Sequence, residues 1–69
     1  MNEFQLGANP FVTLKDLLKL LGLCESGGMA MAAITEGLVK VDGVVELRKR
    51  CKIRTGQVVE FGEHTIRVT

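Results

Sequence analysis

Aromatic side chains are scarce in this sequence of 69 residues, which contains no Trp, no Tyr and three Phe. Proteins that hold unpaired nucleotides commonly stack the bases on several exposed aromatic rings. Three Phe cannot supply much of such a surface, so an aromatic base-stacking platform is nearly excluded. Val, Leu and Ile must therefore fill the core.

Long apolar runs are also missing. Lys15, Asp16 and Lys19 interrupt the most apolar region, whereas a transmembrane helix needs about 20 predominantly apolar residues. The first residues, Met1 to Phe4, lack the basic region and the apolar run of a secretory signal peptide. We therefore expect a cytoplasmic protein that does not associate with a membrane.

Patterns typical of enzymes and metal sites are absent from the sequence as well. Cys24 and Cys51 have neither a CxxC spacing nor a His at ligand spacing, so we expect two free thiols in or near the core and no metal. His64 has no Ser, Cys or Asp placed by spacing to work with it, which favours a histidine in a surface turn. Glycine-rich nucleotide-binding patterns are missing too. The sequence predicts a protein that is not an enzyme and has no cofactor.

The chain is long enough for one small domain, residues 1–69, and contains no linker or internal repeat. Two short helices are predicted in its first half. Thr13 is the expected N-cap of the first helix, with Asp16 in its first turn and Gly22 at its end. Ser26 is the expected N-cap of the second helix, and Gly37 its stop. The first helix presents a leucine stripe at helical spacing, formed by Leu14, Leu17, Leu18 and Leu21. The apolar face of the second helix is predicted to contain Met29, Ala30, Ala33 and Ile34.

Gly27 and Gly28 directly follow Ser26, and two interpretations of this pair stay open. Glycines at a helix start expose backbone N–H groups, which can bind a phosphate oxygen. Alternatively, the pair only permits a tight turn between two helices, which is the more common use of such glycines.

Short strands are predicted in the second half. Asp42-Gly43 is the strongest hairpin signal, because a type I′ turn needs positive φ at both central residues. The residue pairs that this loop creates are Val41 with Val44, Lys40 with Val45, and Val39 with Glu46. The predicted strands span residues 3–6, 38–41, 44–47, 58–61 and 65–68, the first of them as an edge strand. Tight turns are expected at 55–57 and 62–64.

Positive charge is concentrated in one part of the chain. The net charge is +1, but residues 37–54 carry +4, whereas residues 1–36 carry −2 and residues 55–69 carry −1. Five of the seven residues in 48–54, the basic segment, are Lys or Arg. If this segment is extended, its side chains alternate. The outward set would be Arg48, Arg50, Lys52 and Arg54, and the inward set Lys49, Cys51 and Ile53.

The residues match the pattern of a known family. The matching residues are Leu14-x-x-Leu17-Leu18-x-x-Leu21-Gly22-Leu23, Ser26-Gly27-Gly28-x-Ala30, Ile34-x-x-Gly37-x-Val39-x-Val41-Asp42-Gly43 and Lys52-Ile53-x-x-Gly56-x-x-Val59. Over about residues 13–61 the chain resembles the S4-like RNA-binding domain, and more narrowly the small stand-alone bacterial members of that family. The resemblance implies an α+β fold with an αL motif, in which a two-helix hairpin packs on a small, bent, mostly antiparallel sheet. It also implies that structured RNA is bound by the helices and the hairpin region.

The second helix departs from the family pattern. Many S4 domains have Arg or Lys beside the Ser at the start of this helix and further along it, where this chain has Gly27, Gly28, Met31 and Ala32. The basic segment must then carry most of the positive surface. The predicted RNA-binding residues are Arg48 and Arg50 first, then Lys49, Lys52, Lys40 and Arg54, with Lys15, Lys19, Ser26, Gly27 and Gly28 as further candidates.

Two other functions stay open at this point. The nearly uncharged second helix, with Met29 and Met31 partly exposed, would suit a protein-interaction module that docks on a ribosomal or other partner protein. The basic segment would also suit DNA, because the preference for RNA comes from the family resemblance. Under the RNA interpretation we expect a monomer that binds the backbone of a folded RNA such as ribosomal RNA or tRNA.

Overall fold

A computed structural model describes residues 2–69, and within that range it contains two helices and seven short strands. The helices are α1 (Leu14–Leu20) and α2 (Gly27–Thr35). The strands are β1 (Asn2–Phe4), β2 (Val12–Thr13), β3 (Val39–Val41), β4 (Val44–Val45), β5 (Lys52–Ile53), β6 (Val58–Phe61) and β7 (His64–Val68). The predicted α+β class is confirmed.

Five strands form one sheet in the order β1-β7-β6-β3-β4. Neighbouring strands are antiparallel except β1 and β7, which are parallel. The strands β2 and β5 form a separate antiparallel ladder, in which Val12 lies opposite Ile53 and Thr13 opposite Lys52. The sequence does not predict β2, because two residues are too few to show an alternating pattern.

Both helices contribute to one apolar core with the inner face of the large sheet. The buried helical residues are Leu14, Leu17, Leu18, Ala30, Ala33 and Ile34. Their buried partners from the strands are Val39, Val41, Ile53, Val59, Ile66 and Val68. Strand side chains that alternate with these residues, such as Lys40 and Arg67, therefore lie on the outer face of the sheet.

The predicted helix ends are confirmed by hydrogen bonds. Thr13 Oγ1 accepts the N–H of Asp16 at 3.4 Å, and Ser26 Oγ accepts the N–H of Met29 at 3.2 Å. Gly37 follows α2 with φ +77°, a left-handed conformation that costs glycine little. The predicted apolar face of α2 is wrong at Met29, which is 52% exposed. Met29 precedes Ala30, the first buried residue of α2, and therefore lies at the edge of the buried face of the helix.

The Asp42-Gly43 hairpin forms as predicted, with φ values of +52° and +83°. Val41 pairs with Val44 and Lys40 with Val45. The Asp42 carboxylate also accepts the backbone N–H of Val58 at 2.9 Å, which ties the turn to the next strand.

Several predicted strand limits are wrong. The edge strand β1 lies at Asn2–Phe4 rather than 3–6, and the backbone N–H of Leu6 instead bonds to the carbonyl of Thr69 at 2.9 Å. The return strand β4 ends at Val45 rather than at residue 47. The N–H of Glu46 still bonds to the Val39 carbonyl at 3.0 Å, but the regular strand stops there.

Candidate nucleic-acid interface

The basic segment is attached to the beginning of α1 by its own backbone. The N–H of Leu14 donates to the carbonyl of Cys51 at 2.9 Å, and the N–H of Lys15 donates to the carbonyl of Lys49 at 3.1 Å. N–H groups in the first turn of a helix have no partner within the helix. The two carbonyls satisfy these groups, and they fix the basic segment across the N-terminal end of α1.

This attachment changes the shape that the sequence predicts for the segment. Lys49 and Arg50 lie in a turn, closed by a bond from the N–H of Cys51 to the Arg48 carbonyl at 3.1 Å. The predicted inward position of Lys49 is therefore wrong, because its side chain is exposed. Ile53 is buried and Cys51 is half-buried, as predicted. The carbonyls of residues 49 and 51 both accept N–H groups at the start of α1, so this turn is part of the attachment.

Arg48 forms an ion pair with Glu46, a residue that the sequence analysis did not select. Arg48 donates from Nε to Glu46 Oε2 at 2.9 Å, from Nη2 to Oε1 at 3.0 Å, and from its backbone N to Oε2 at 3.0 Å. The hydrogen bonds from Arg48 lower the pKa of Glu46 from 4.5 to about 2. Glu46 therefore stays ionised at neutral pH and offsets the charge of Arg48. The spacing of two residues in an extended chain was the signal that could have revealed this pair.

The Arg48 pair also borders the half-buried thiol of Cys51. Arg48 Nη2 lies 3.8 Å from Cys51 Sγ. Burial, followed by the nearby Glu46 carboxylate, raises the pKa of the Cys51 thiol. This thiol and the exposed cations around it line an open groove, formed by Arg48, Arg50, Cys51 and Lys52.

Two cations of the basic segment lie over the ring of Phe11. Lys52 Nζ is 4.9 Å and Arg54 Cζ is 5.8 Å from the ring centroid. Both distances lie within the range of a cation–π interaction. The β2–β5 ladder explains this arrangement. Since Val12 lies opposite Ile53, Phe11 comes opposite Arg54 and diagonal to Lys52.

Lys15 connects the basic segment to the start of α2. A Cβ atom built on Gly27 would lie 4.0 Å from Lys15 Cδ, so the lysine stem passes beside this glycine. At the helix start, the Ser26 hydroxyl is occupied by its cap bond. Gly27 and Gly28 are the first residues of α2, where backbone N–H groups have no partner within the helix, and no turn or loop bond from either N–H is found among residues 2–69. The structure therefore brings Lys15, Gly27 and Gly28 together.

The two remaining candidate lysines lie elsewhere. Lys40 lies between buried Val39 and Val41, and its side chain is on the outer face of the sheet, opposite Glu60 on β6. Lys19 is exposed in the last turn of α1. At 1.5 Å per residue it lies about 6 Å further along the axis than Lys15. Lys40 thus lies on the outer face of the sheet, and Lys19 lies about one helical turn beyond Lys15.

Between Asn2 and Thr69 no group of three or more His, Cys, Asp or Glu side chains is arranged to hold a metal ion. Neither of the two helices described is long and apolar enough to cross a membrane.

Comparisons with known proteins agree with this fold. The model of the S4 domain family matches residues 4–69. The protein named "Putative RNA-binding protein YbcJ" of Escherichia coli is 59% identical over 68 residues, which cover 99% of this chain and 97% of that protein. The uncharacterised protein YbcJ of Shigella flexneri matches with the same identity and coverage.

A solved structure shows the same similarity in three dimensions. The solution structure of YbcJ from Escherichia coli, described as revealing an αL motif involved in RNA binding, superposes with a TM-score of 0.77 at 58% identity. The match covers 100% of this chain and 87% of the other chain. The two-helix hairpin, the mostly antiparallel sheet and the matched family model confirm the predicted resemblance, and the chain belongs to the S4 domain family.

Proposed function

We propose that this protein binds structured RNA through the surface formed by the basic segment and the adjoining helix starts. The observation that carries the proposal is the main-chain attachment of residues 49 and 51 to α1, which holds several exposed cations in a fixed arrangement. The similar protein of Escherichia coli bears an RNA-binding name, and its structure is described with an RNA-binding motif. These descriptions support the same function for this chain.

The contacts would be made with phosphates. The cations available for them are Lys15, Lys49, Arg50, Lys52 and Arg54. Arg guanidinium groups can grip a phosphate with two hydrogen bonds, and Lys supplies a mobile point charge. We propose that Arg48 stabilises the turn and does not contact phosphate, because its guanidinium is already paired with the Glu46 carboxylate. The N–H groups of Gly27 and Gly28 would donate hydrogen bonds to a phosphate oxygen beside the Lys15 side chain.

Recognition by backbone and shape suits RNA with a folded structure. The candidate contacts are charges and N–H groups, which read phosphate positions and not base sequence. Folded RNAs such as ribosomal RNA and tRNA are therefore the ligands that we propose. We further propose that the protein acts as a cytoplasmic monomer and performs no catalytic step.

The test is a binding titration with a structured RNA at several salt concentrations. Each phosphate contact contributes roughly 0.7–0.9 to the slope of log affinity against log salt. The Lys49→Gln/Arg50→Gln variant should bind more weakly, with a slope that is shallower by about 1.5. The matched control Lys40→Gln/Arg67→Gln removes the same charge from the outer face of the sheet and should keep the slope. Equal effects of the two variants would refute the site.

Competition separates RNA from DNA. A duplex DNA of equal length and charge should displace the RNA less effectively than an unlabelled copy of the RNA. Equal displacement would show that the surface recognises polyanions in general.

Exposed apolar side chains favour a protein partner as the second candidate function. Met29 on α2 is 52% exposed and Leu47 beside the sheet edge is 58% exposed. If the protein docks on a partner without RNA contact, the Lys49→Gln/Arg50→Gln variant should keep that complex. A Met29→Lys variant should lose the complex with the protein partner. It should retain RNA binding, because Met29 is not one of the proposed phosphate contacts.

A further inference from the structure

One aromatic ring lies within the proposed RNA surface and outside the core. Phe4 and Phe61 pack against the buried apolar cluster. Among residues 2–69, Phe11 is the one aromatic side chain that is not part of that packing. It is only half-buried, and two exposed cations cover it. Its position therefore needs an explanation other than core packing.

The β2–β5 ladder places this ring on the outward side. Val12 and Ile53 pair and point towards the core side, where Ile53 is fully buried. Side chains alternate along a strand, so the next positions, Phe11 and Arg54, point the other way. Lys52 lies on that same outward side. An aromatic ring with two positive charges beside it is a suitable surface for a nucleotide, which has a flat base and a negative phosphate.

We propose that Phe11, Lys52 and Arg54 bind one unpaired nucleotide of the RNA, with its base stacked on the Phe11 ring. In the absence of RNA, the cations occupy the ring face at 4.9 and 5.8 Å. Phosphates on both sides of the nucleotide attract Lys52 and Arg54, and the ring face becomes available to the base. A single ring holds one base, so this site differs from the multi-aromatic platform that the composition argues against.

This inference rests on the proposed function and makes it more specific. Contacts to phosphates alone would accept a fully paired duplex. The Phe11 site would instead favour a folded RNA that has an unpaired base beside a helix, such as a bulge. Phe11, an uncharged residue, would therefore restrict the preferred RNA to folded RNAs that have an unpaired base.

The experiment compares two RNA probes. One is a short blunt duplex, and the other is the same duplex with a single unpaired 2-aminopurine, whose fluorescence falls on stacking. The wild-type protein should bind the bulged RNA at least about 5-fold more tightly, since stacking on one aromatic side chain contributes a factor of roughly 5 to 150. It should also quench the fluorescence of the probe.

Substitutions at Phe11 test whether the ring is responsible. Phe11→Leu should remove the preference for the bulged RNA and the quenching, and should leave affinity and salt slope on the blunt duplex unchanged. Phe11→Trp should keep both the preference for the bulged RNA and the fluorescence quenching. This variant tests the role of the ring even if Phe11→Leu fails to fold. Phe4→Leu is the matched control within the core and should retain the preference.

Three results would overturn the inference. If the wild-type protein binds both RNAs equally, the proposed function stands and the Phe11 site does not. If Phe11→Leu weakens binding to both RNAs equally and makes the salt slope shallower, the ring only positions Lys52 and Arg54. If the wild-type protein binds neither RNA, the proposed function is refuted and the Phe11 site with it.

Discussion

Ile53 anchors the basic segment to the core, and its truncation gives a quantitative test of the fold. Its side chain is fully buried between two exposed cations, Lys52 and Arg54. Ile→Val substitutions at buried sites cost about 0.5–1.5 kcal/mol, and Ile→Ala about 2–5 kcal/mol. A domain of 69 residues has a total stability of roughly 3–10 kcal/mol at the usual value per residue. Ile53→Ala should therefore remove at least about a fifth of the stability, and about half at the middle of both ranges.

Urea denaturation followed by far-ultraviolet circular dichroism measures this effect. Ile53→Val should lower the midpoint without changing the m-value, and should lower Tm by about 4–8 °C for each kcal/mol lost. Its RNA affinity should stay close to wild type at temperatures where it is folded, because main-chain hydrogen bonds still hold the segment. The control is Val45→Ala, since Val45 is 46% exposed on an edge strand. If Ile53→Ala costs no more than Val45→Ala, the buried anchor is refuted.

Substitutions at three further positions test features of the fold that position the site. Glu46→Gln should lower stability at neutral pH. Because Arg48 depresses the pKa of Glu46 to about 2, the extra stability of the wild type should be complete above about pH 4.5 and should disappear as the pH falls through 2. A constant difference in urea midpoints from pH 7 to 2.5 would contradict the ion pair. Gly37→Ala should cost about 1–2 kcal/mol, because φ at this position is +77°, and a thermal melt that matches wild type would argue against the left-handed helix end. Ser26→Ala should cost about 1 kcal/mol of stability through loss of the α2 cap. Ser26→Asp should keep the stability, but it should weaken RNA binding because it places a negative charge beside Gly27. If RNA affinity is unchanged in Ser26→Asp, the start of α2 is not part of the RNA surface.

Features that depend on neighbouring residues were predictable from the sequence. The Asp42-Gly43 turn requires only that both residues accept positive φ, and it forms with the expected pairing. The helix caps at Thr13 and Ser26 likewise depend on atoms within three residues. These interactions are short in sequence, so the chain specifies them locally.

Features that depend on distant residues were not predictable in the same way. The turn at Lys49 and Arg50 is attached to α1, where the carbonyls of Lys49 and Cys51 accept from Lys15 and Leu14, more than thirty residues earlier in the chain. An alternating pattern could not reveal it, and Lys49 was therefore placed on the wrong side. The cation–π contacts of Phe11 depend on a ladder of only two residue pairs.

Charge counting also concealed the role of Glu46. Within residues 37–54, Glu46 enters the net charge only as one negative charge. In the structure its carboxylate receives three hydrogen bonds from Arg48 and determines which cations are available. The predicted phosphate contacts of Lys49, Arg50, Lys52 and Arg54 remain predictions for the titrations described above.

Main-chain atoms hold the basic segment on α1, whereas its side chains would make the proposed contacts with RNA. Carbonyl groups at residues 49 and 51 make the bonds to α1, and every amino acid has a carbonyl. Side chains at positions 49, 50 and 52 can therefore change while the segment keeps its place on the helix. Under the proposed function, exchanging these three residues would change the phosphate contacts without a redesign of the domain.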